Sequence, residues 1–104
     1  MARYKVFIDD NYHYMDESHR YEHGTFETAD EAIAACRKIV DSILEENHIP
    51  GMSAPELYLR YTHFGEDPFI VTIDRAAPDV AFSAWSYAKE RSELICMQKA
   101  AART

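Results

Sequence analysis

A capped amphipathic helix in the first half of the chain most constrains the possible folds. Thr28-Ala29-Asp30-Glu31 has the capping-box pattern, in which the threonine side chain accepts from the amide of the glutamate. The pattern that follows predicts a helix from about Ala29 to Glu46, with an apolar stripe at 3.6-residue spacing. The stripe consists of Ala32, Ile33, Cys36, Ile39, Val40, Ile43 and Leu44. A stripe of this width has to be buried against another layer of structure.

Two segments outside this helix alternate in the manner of β-strands. Residues 4–9 place Tyr4, Val6 and Ile8 on one side, and residues 69–73 form a second apolar run. The second run has Phe69, Val71 and Ile73 on one face. A sheet built on these two strands can cover the stripe of the helix.

The stretch between the first strand and the helix predicts a hairpin. Residues 12–15 continue as a short strand, residues 16–20 are polar enough for the turn, and residues 21–27 return. Gly24 inside the returning strand predicts a bulge or a close backbone approach.

Two further helices complete the predicted order of elements. Ser53 caps a short helix with a proline in its first turn, and Ser83 caps a last helix from about Ala84 to Lys99. The order β-β-(β)-α-α-β-α predicts a single α+β domain over residues 1–104. Its sheet has three to four antiparallel or mixed strands, and three helices pack mainly on one face.

Charge and composition narrow the function classes. The net charge is −7, and residues 1–52 alone carry 5 basic and 11 acidic side chains. Such a surface repels phosphate, so nucleic acid is not an expected partner. Neither an apolar run long enough for a membrane span nor a leader pattern is expected. Cys36 and Cys96 are expected to be reduced thiols, and the predicted compartment is the cytoplasm.

Residues 9–23 hold most of the functional information in the chain. They contain five acids, three tyrosines and three histidines against one arginine. Tyrosine supplies rigid contact area, and complementary charge selects a basic partner. We therefore expect a small binding or regulatory module rather than an enzyme, although tyrosines also pack within sheets without any partner. The expected contact residues for a basic protein are Asp10, Tyr12, Tyr14, Asp16, Glu17 and Tyr21.

The histidines of the same segment support an alternative hypothesis. His13, His19 and His23 lie among carboxylates, a ligand set that suits a transition metal. The spacing fits neither a zinc-protease motif nor a calcium-binding EF-hand loop. The alternative is therefore a metal- or small-ligand-binding protein, with catalysis left open and no catalytic residue assigned. No other cofactor is expected.

The last helix offers a second candidate surface. Trp85, Tyr87 and Leu94 extend its apolar face beyond one stripe, which is compatible with a ligand pocket or with a self-association face in a homodimer. The simpler interpretation places Trp85 in the core.

Overall fold

The computed structural model describes residues 2–13 and 17–102, without the side chains of His13, Glu17 and Ala102. It is an α+β fold with an antiparallel sheet of three strands in the order β2-β1-β3, and the predicted fold class is confirmed. The strands are β1 (Tyr4–Asp10), β2 (Tyr21–Phe26) and β3 (Glu66–Thr72). The helices are α1 (Ala29–Asn47), α2 (Ala54–Phe64) and α3 (Ala84–Ala102). Two 3-10 turns, Asn11–His13 and Glu17–His19, lie between β1 and β2.

The alternation of β1 decides which face of the sheet carries the helices. Tyr4, Val6 and Ile8 are at most 3% exposed, because they point toward α1. Two apolar clusters form on this side. One joins β1 to the first half of α1, through Ala32 and Cys36. The other joins the second half of α1 to α2 and α3, with Val40, Leu44, Leu57, Tyr61, Ala88 and Ile95 at its centre.

Local capping sets the beginnings of α1 and α2, as the sequence predicts. The Thr28 hydroxyl accepts from the Glu31 amide at 3.1 Å and donates to the Glu31 carboxylate at 2.9 Å. Ser53 makes the same pair of hydrogen bonds with Glu56 at the start of α2. The two helices therefore begin where the side-chain chemistry requires.

The predicted bulge lies in β2. The β1–β2 register pairs Val6 with Gly24 and Phe7 with Glu22, so His23 is the extra residue. Gly24 thus marks a break in the ladder, and the bulge prediction is confirmed.

Two strand predictions are wrong in their bounds. The predicted strand at residues 12–15 is a 3-10 turn as far as His13, and Tyr14 and Met15 lie outside the described residues. The Asp10 carboxylate accepts from the Tyr12 amide at 2.9 Å, a local bond that turns the chain. Conversely, β3 begins at Glu66 rather than at Phe69. Pro68 is tolerated there because β3 is an edge strand.

Both cysteines are free thiols, Cys36 fully buried and Cys96 partly buried. No helix in the described part of the chain combines the length and apolar character needed to cross a bilayer.

Candidate functional site

The β1–β3 register gathers carboxylates at one end of the sheet. Asp9 lies opposite Asp67, and Asp10 lies opposite Glu66. Arg20 neutralises part of this charge, since its Nε donates to Asp9 Oδ1 at 2.7 Å and its Nη2 donates to Asp9 Oδ2 at 3.1 Å. Like charges on neighbouring strands destabilise the fold, so this end of the sheet favours an incoming cation.

The pKa of Asp67 is raised at this crowded end of the sheet. Burial, followed by the charge of Asp9, raises the pKa of the Asp67 carboxyl from 3.8 to about 6. Asp67 is therefore a carboxyl that holds its proton to a higher pH in the folded protein than in the unfolded chain.

This raised pKa predicts a specific pH dependence of stability. Between pH 3.8 and about 6 the folded state binds more protons at Asp67 than the unfolded state does. The free energy of unfolding contributed by this group therefore falls as pH rises through that window. We expect Asp67→Asn, which has no such proton to lose, to gain stability relative to the wild type between pH 4 and pH 7. Urea unfolding of both proteins at each pH measures this, and a difference that is constant with pH would refute it.

Two aromatic rings are exposed at the same end of the sheet. Tyr12 and Phe64 stack with ring centroids 5.9 Å apart and an interplanar angle of 20°. The two residues are 65% and 64% exposed. His63 meets the Phe64 ring edge-on, at 6.1 Å. Phe64 is the last residue of α2, and its position at the helix end leaves the ring largely in solvent.

A buried amide holds Tyr12 beside α2. Asn11 is 6% exposed, and its Nδ2 donates to the carbonyl oxygen of Tyr61 at 3.0 Å. The Trp85 indole N–H donates to Asn11 Oδ1 at 3.1 Å. The backbone N–H of Asn11 also donates to the Gly65 carbonyl oxygen, at 2.9 Å. Asn11 therefore joins the end of β1 to α2 and α3, a role that sequence reasoning missed.

Tyr21 connects β2 to this end of the sheet. Its side chain is 49% exposed, and its hydroxyl donates to Glu66 Oε2 at 2.5 Å. Burial, the hydrogen bond to Glu66 and the charges of Glu66 and Asp10 raise the pKa of Tyr21 to about 12. The hydroxyl consequently stays protonated at neutral pH and acts as a donor.

We define the acidic aromatic end as Asp10, Tyr12, Tyr21, Phe64 and Glu66. Three of the six predicted contact residues, Asp10, Tyr12 and Tyr21, belong to it. Tyr14 and Asp16 lie outside the described residues, as does the side chain of Glu17. Phe64 and Glu66 were missed because their position depends on the β1–β3 register.

The predicted metal ligands are only partly described. His19 and His23 are exposed, and the side chain of His13 lies outside the described residues. Among the described side chains, no three His, Cys, Asp or Glu residues come together as a metal-binding group. A metal site on these histidines stays a prediction.

The three residues of the second candidate surface do not form one exposed face. Trp85 is partly buried and bonds to Asn11. Tyr87 is also partly buried, and its hydroxyl donates to Asp41 Oδ1 at 2.7 Å. Leu94 is exposed. The two aromatic residues therefore hold α3 against neighbouring elements, and Leu94 is the member that solvent reaches.

The comparisons supply no functional assignment. None of the family models, curated proteins or solved structures compared with this chain matches it. The geometry of the site is therefore the basis for assigning a function.

Proposed function

We propose that this protein is a small protein-binding module whose acidic aromatic end contacts a basic segment of a partner protein. The observation that carries the proposal is the stacked Tyr12–Phe64 pair, exposed beside the facing carboxylates of Asp10 and Glu66. The proposed compartment is the cytoplasm, where free thiols persist.

The aromatic pair provides the attractive part of such a contact. Large rings that are already stacked have lost much of their conformational freedom, and burying them against a partner removes apolar surface from water. Asn11 fixes Tyr12 from behind through contacts to α2 and α3. The pair is thus preorganised, which reduces the entropy lost on binding.

The carboxylates supply selectivity. Asp10 and Glu66 lie on adjacent strands, and the neighbouring Asp67 already has a raised pKa because of burial and of Asp9. A lysine or arginine from a partner relieves this repulsion, while an acidic partner increases it. Within the part of the chain that the structure describes, no comparable observation favours catalysis or metal binding.

Replacing both exposed rings tests the proposal. We expect the double variant Tyr12→Ser/Phe64→Ser to lose at least about tenfold in partner recovery, because central aromatic residues dominate contact energies. We expect the same loss when Asp10, Asp16 and Glu17 are all reversed to lysine. Quantitative pull-down with mass spectrometry measures both effects, and a thermal melt confirms folding.

Leu59→Ser is the matched control for the aromatic substitutions. Leu59 also lies on α2 and is 56% exposed, but it is outside the acidic aromatic end. Its variant should recover the same partners as the wild type. Equal recovery by the control and the double variant would overturn the proposal.

A further inference from the structure

A groove runs between the edge strand β2 and helix α1. Its volume is about 580 Å³, and it is lined mainly by apolar side chains. Ile8 and Phe26 contribute from the sheet, and Ala35, Ile39 and Ile43 contribute from α1. A depression with this lining is suited to a side chain supplied from outside the fold.

Gly24 leaves a position without a side chain on the face of the sheet that α1 covers. Gly24 pairs with Val6 and shares its face of the sheet, but it has no side chain to fill the space under α1. A Cβ built on Gly24 would meet only the Phe26 ring, at an ordinary 3.6 Å. A methyl group at position 24 would therefore have room on this side of the sheet.

The outer edge of β2 lies along the groove. Within the described residues β2 pairs with β1 alone, so its other edge has no neighbouring strand. The strand contains no proline, so each residue retains a backbone donor and acceptor. An edge strand beside a helix can accept an added strand, whose alternate side chains then enter the groove.

The charged residues of the groove follow one another in a defined order along it. The first half of α1 packs near Tyr4 and Val6, and its second half packs near Tyr61, whose hydroxyl donates to the Glu66 carbonyl oxygen. Helix α1 thus runs antiparallel to β2. Lys38 consequently lies toward the middle of the groove, and Glu46 lies at the Tyr21 and Glu66 end.

The charges of Lys38 and Glu46 are not used in contacts within the described part of the fold. Neither makes a hydrogen bond or an ion pair with another described residue. They are eight residues apart on α1, a separation of about 12 Å. Four residues of an extended strand span about 13 Å. Two charged side chains four positions apart on an added strand would therefore match this pair.

We infer that the groove binds an extended peptide segment, which adds to β2 as a fourth, antiparallel strand. Antiparallel pairing is slightly more stable than parallel pairing, and it places the C-terminal side of the segment at Tyr21. An acidic residue faces Lys38, an apolar residue two positions later enters the groove, and a basic residue four positions later faces Glu46 and Glu66. The inference rests on the proposed function in one respect, that the segment presents its basic residue to the acidic aromatic end.

The charges favour a partner segment over a second copy of this chain. The residues of β2 that line the groove include Tyr21, His23 and Phe26, and none of them is a carboxylate or a lysine. A second β2 in the same place would leave Lys38 and Glu46 without partners. Self-association through β2 is therefore an outcome that the experiment must distinguish.

Two synthetic nine-residue peptides test the inference. Both have valine at the remaining odd positions, threonine at the even positions and blocked ends, so that valine 5 faces the groove between the two charged residues. In the first peptide the third residue is glutamate and the seventh is arginine, while in the second these two residues are exchanged. We expect saturable NMR shifts of the β2 amides with the first peptide and binding at least about tenfold weaker with the second.

Two variants make the test specific. Ser42→Trp fills the groove from its exposed position on α1, and it should abolish the shifts. Its control, Ser86→Trp, is exposed on α3 and should not. The double reversal Lys38→Glu/Glu46→Lys should invert the preference between the peptides.

The failures can be told apart. Absence of saturable binding by both peptides, equal binding by Ser42→Trp, or a doubled mass in light scattering that Ser42→Trp returns to that of a single chain would overturn the groove inference. None of these results would change the dependence of pull-down on Tyr12 and Phe64. Conversely, loss of that dependence with the peptide preference intact would overturn only the proposed contact at the aromatic pair.

Discussion

Replacing Asn11 with leucine is expected to lower the free energy of unfolding by about 3 kcal/mol. The Trp85 indole N–H loses this acceptor, and the Tyr61 carbonyl oxygen loses one of its two donors. The two lost hydrogen bonds cost about 1 kcal/mol each, and the incomplete hydrogen bonding of the groups that stay buried costs about 1 kcal/mol more. Urea unfolding followed by the fluorescence of Trp85, the single tryptophan of the chain, measures the change in the free energy of unfolding.

Asn47→Leu is the matched control for this substitution. Asn47 also donates to a carbonyl oxygen, that of Ile43 at 2.7 Å, and it accepts from Arg60 at 3.2 Å. It lies at the end of α1, where water can replace both bonds, so we expect a change below about 1 kcal/mol. If the two variants were equally destabilised, Asn11 would not be the anchor described above.

The proposed partner contact depends on the same residue. Tyr12 follows Asn11 directly, so release of the amide frees the ring from its place beside Phe64. Asn11→Leu should therefore weaken partner recovery even at temperatures where the protein remains folded.

The parts of the fold that sequence could predict are those set by local chemistry. The capping boxes at Thr28 and Ser53 use bonds between residues three positions apart. The buried face of β1 follows from period-two alternation alone. Helix α1 follows in the same way from its stripe, and it ends one residue beyond its predicted end.

The parts that sequence could not predict depend on distant pairings. Asn11 bonds to residues 50 and 74 positions away. Residues 66–68 look like a turn because they are two acids and a proline, yet the β1–β3 register recruits them into β3. The same register brings Phe64 and Glu66 to the site. Composition identified the tyrosines that lie among the acidic residues, but it could not identify the ring against which Tyr12 stacks.

Gly65→Ala is expected to destabilise the protein by about 3 kcal/mol, at the upper end of what overpacking usually costs. A Cβ at Gly65 would lie 2.7 Å from both the Cδ1 atom and the carbonyl oxygen of Tyr61. Neither atom can move easily. The ring is 1% exposed and its hydroxyl donates to the Glu66 carbonyl oxygen, while the Tyr61 carbonyl oxygen accepts from Asn11 and from Gly65 itself.

Gly24→Ala is the control. Neither Gly24 nor Gly65 has a positive φ, so the two positions differ in the space around the added methyl group and not in backbone strain. Only Gly51 has a positive φ among the described glycines, and the Cβ at position 24 meets nothing closer than 3.6 Å. We expect a change within about 0.5 kcal/mol for this variant, as for ordinary surface substitutions. Urea unfolding of the two alanine variants side by side provides the measurement.

A double variant tests whether both large effects act through Tyr61. Asn11→Leu removes a donor from the Tyr61 carbonyl oxygen, and Gly65→Ala pushes against that same atom. After the first change the oxygen keeps only the hydrogen bond from residue 65, so it can shift more easily away from the new methyl group. We therefore expect the two losses to be less than additive by about 1 kcal/mol, as for residues that share a partner. Full additivity would mean that the methyl group acts against the buried ring alone, and that the carbonyl oxygen does not link the acidic aromatic end to the core.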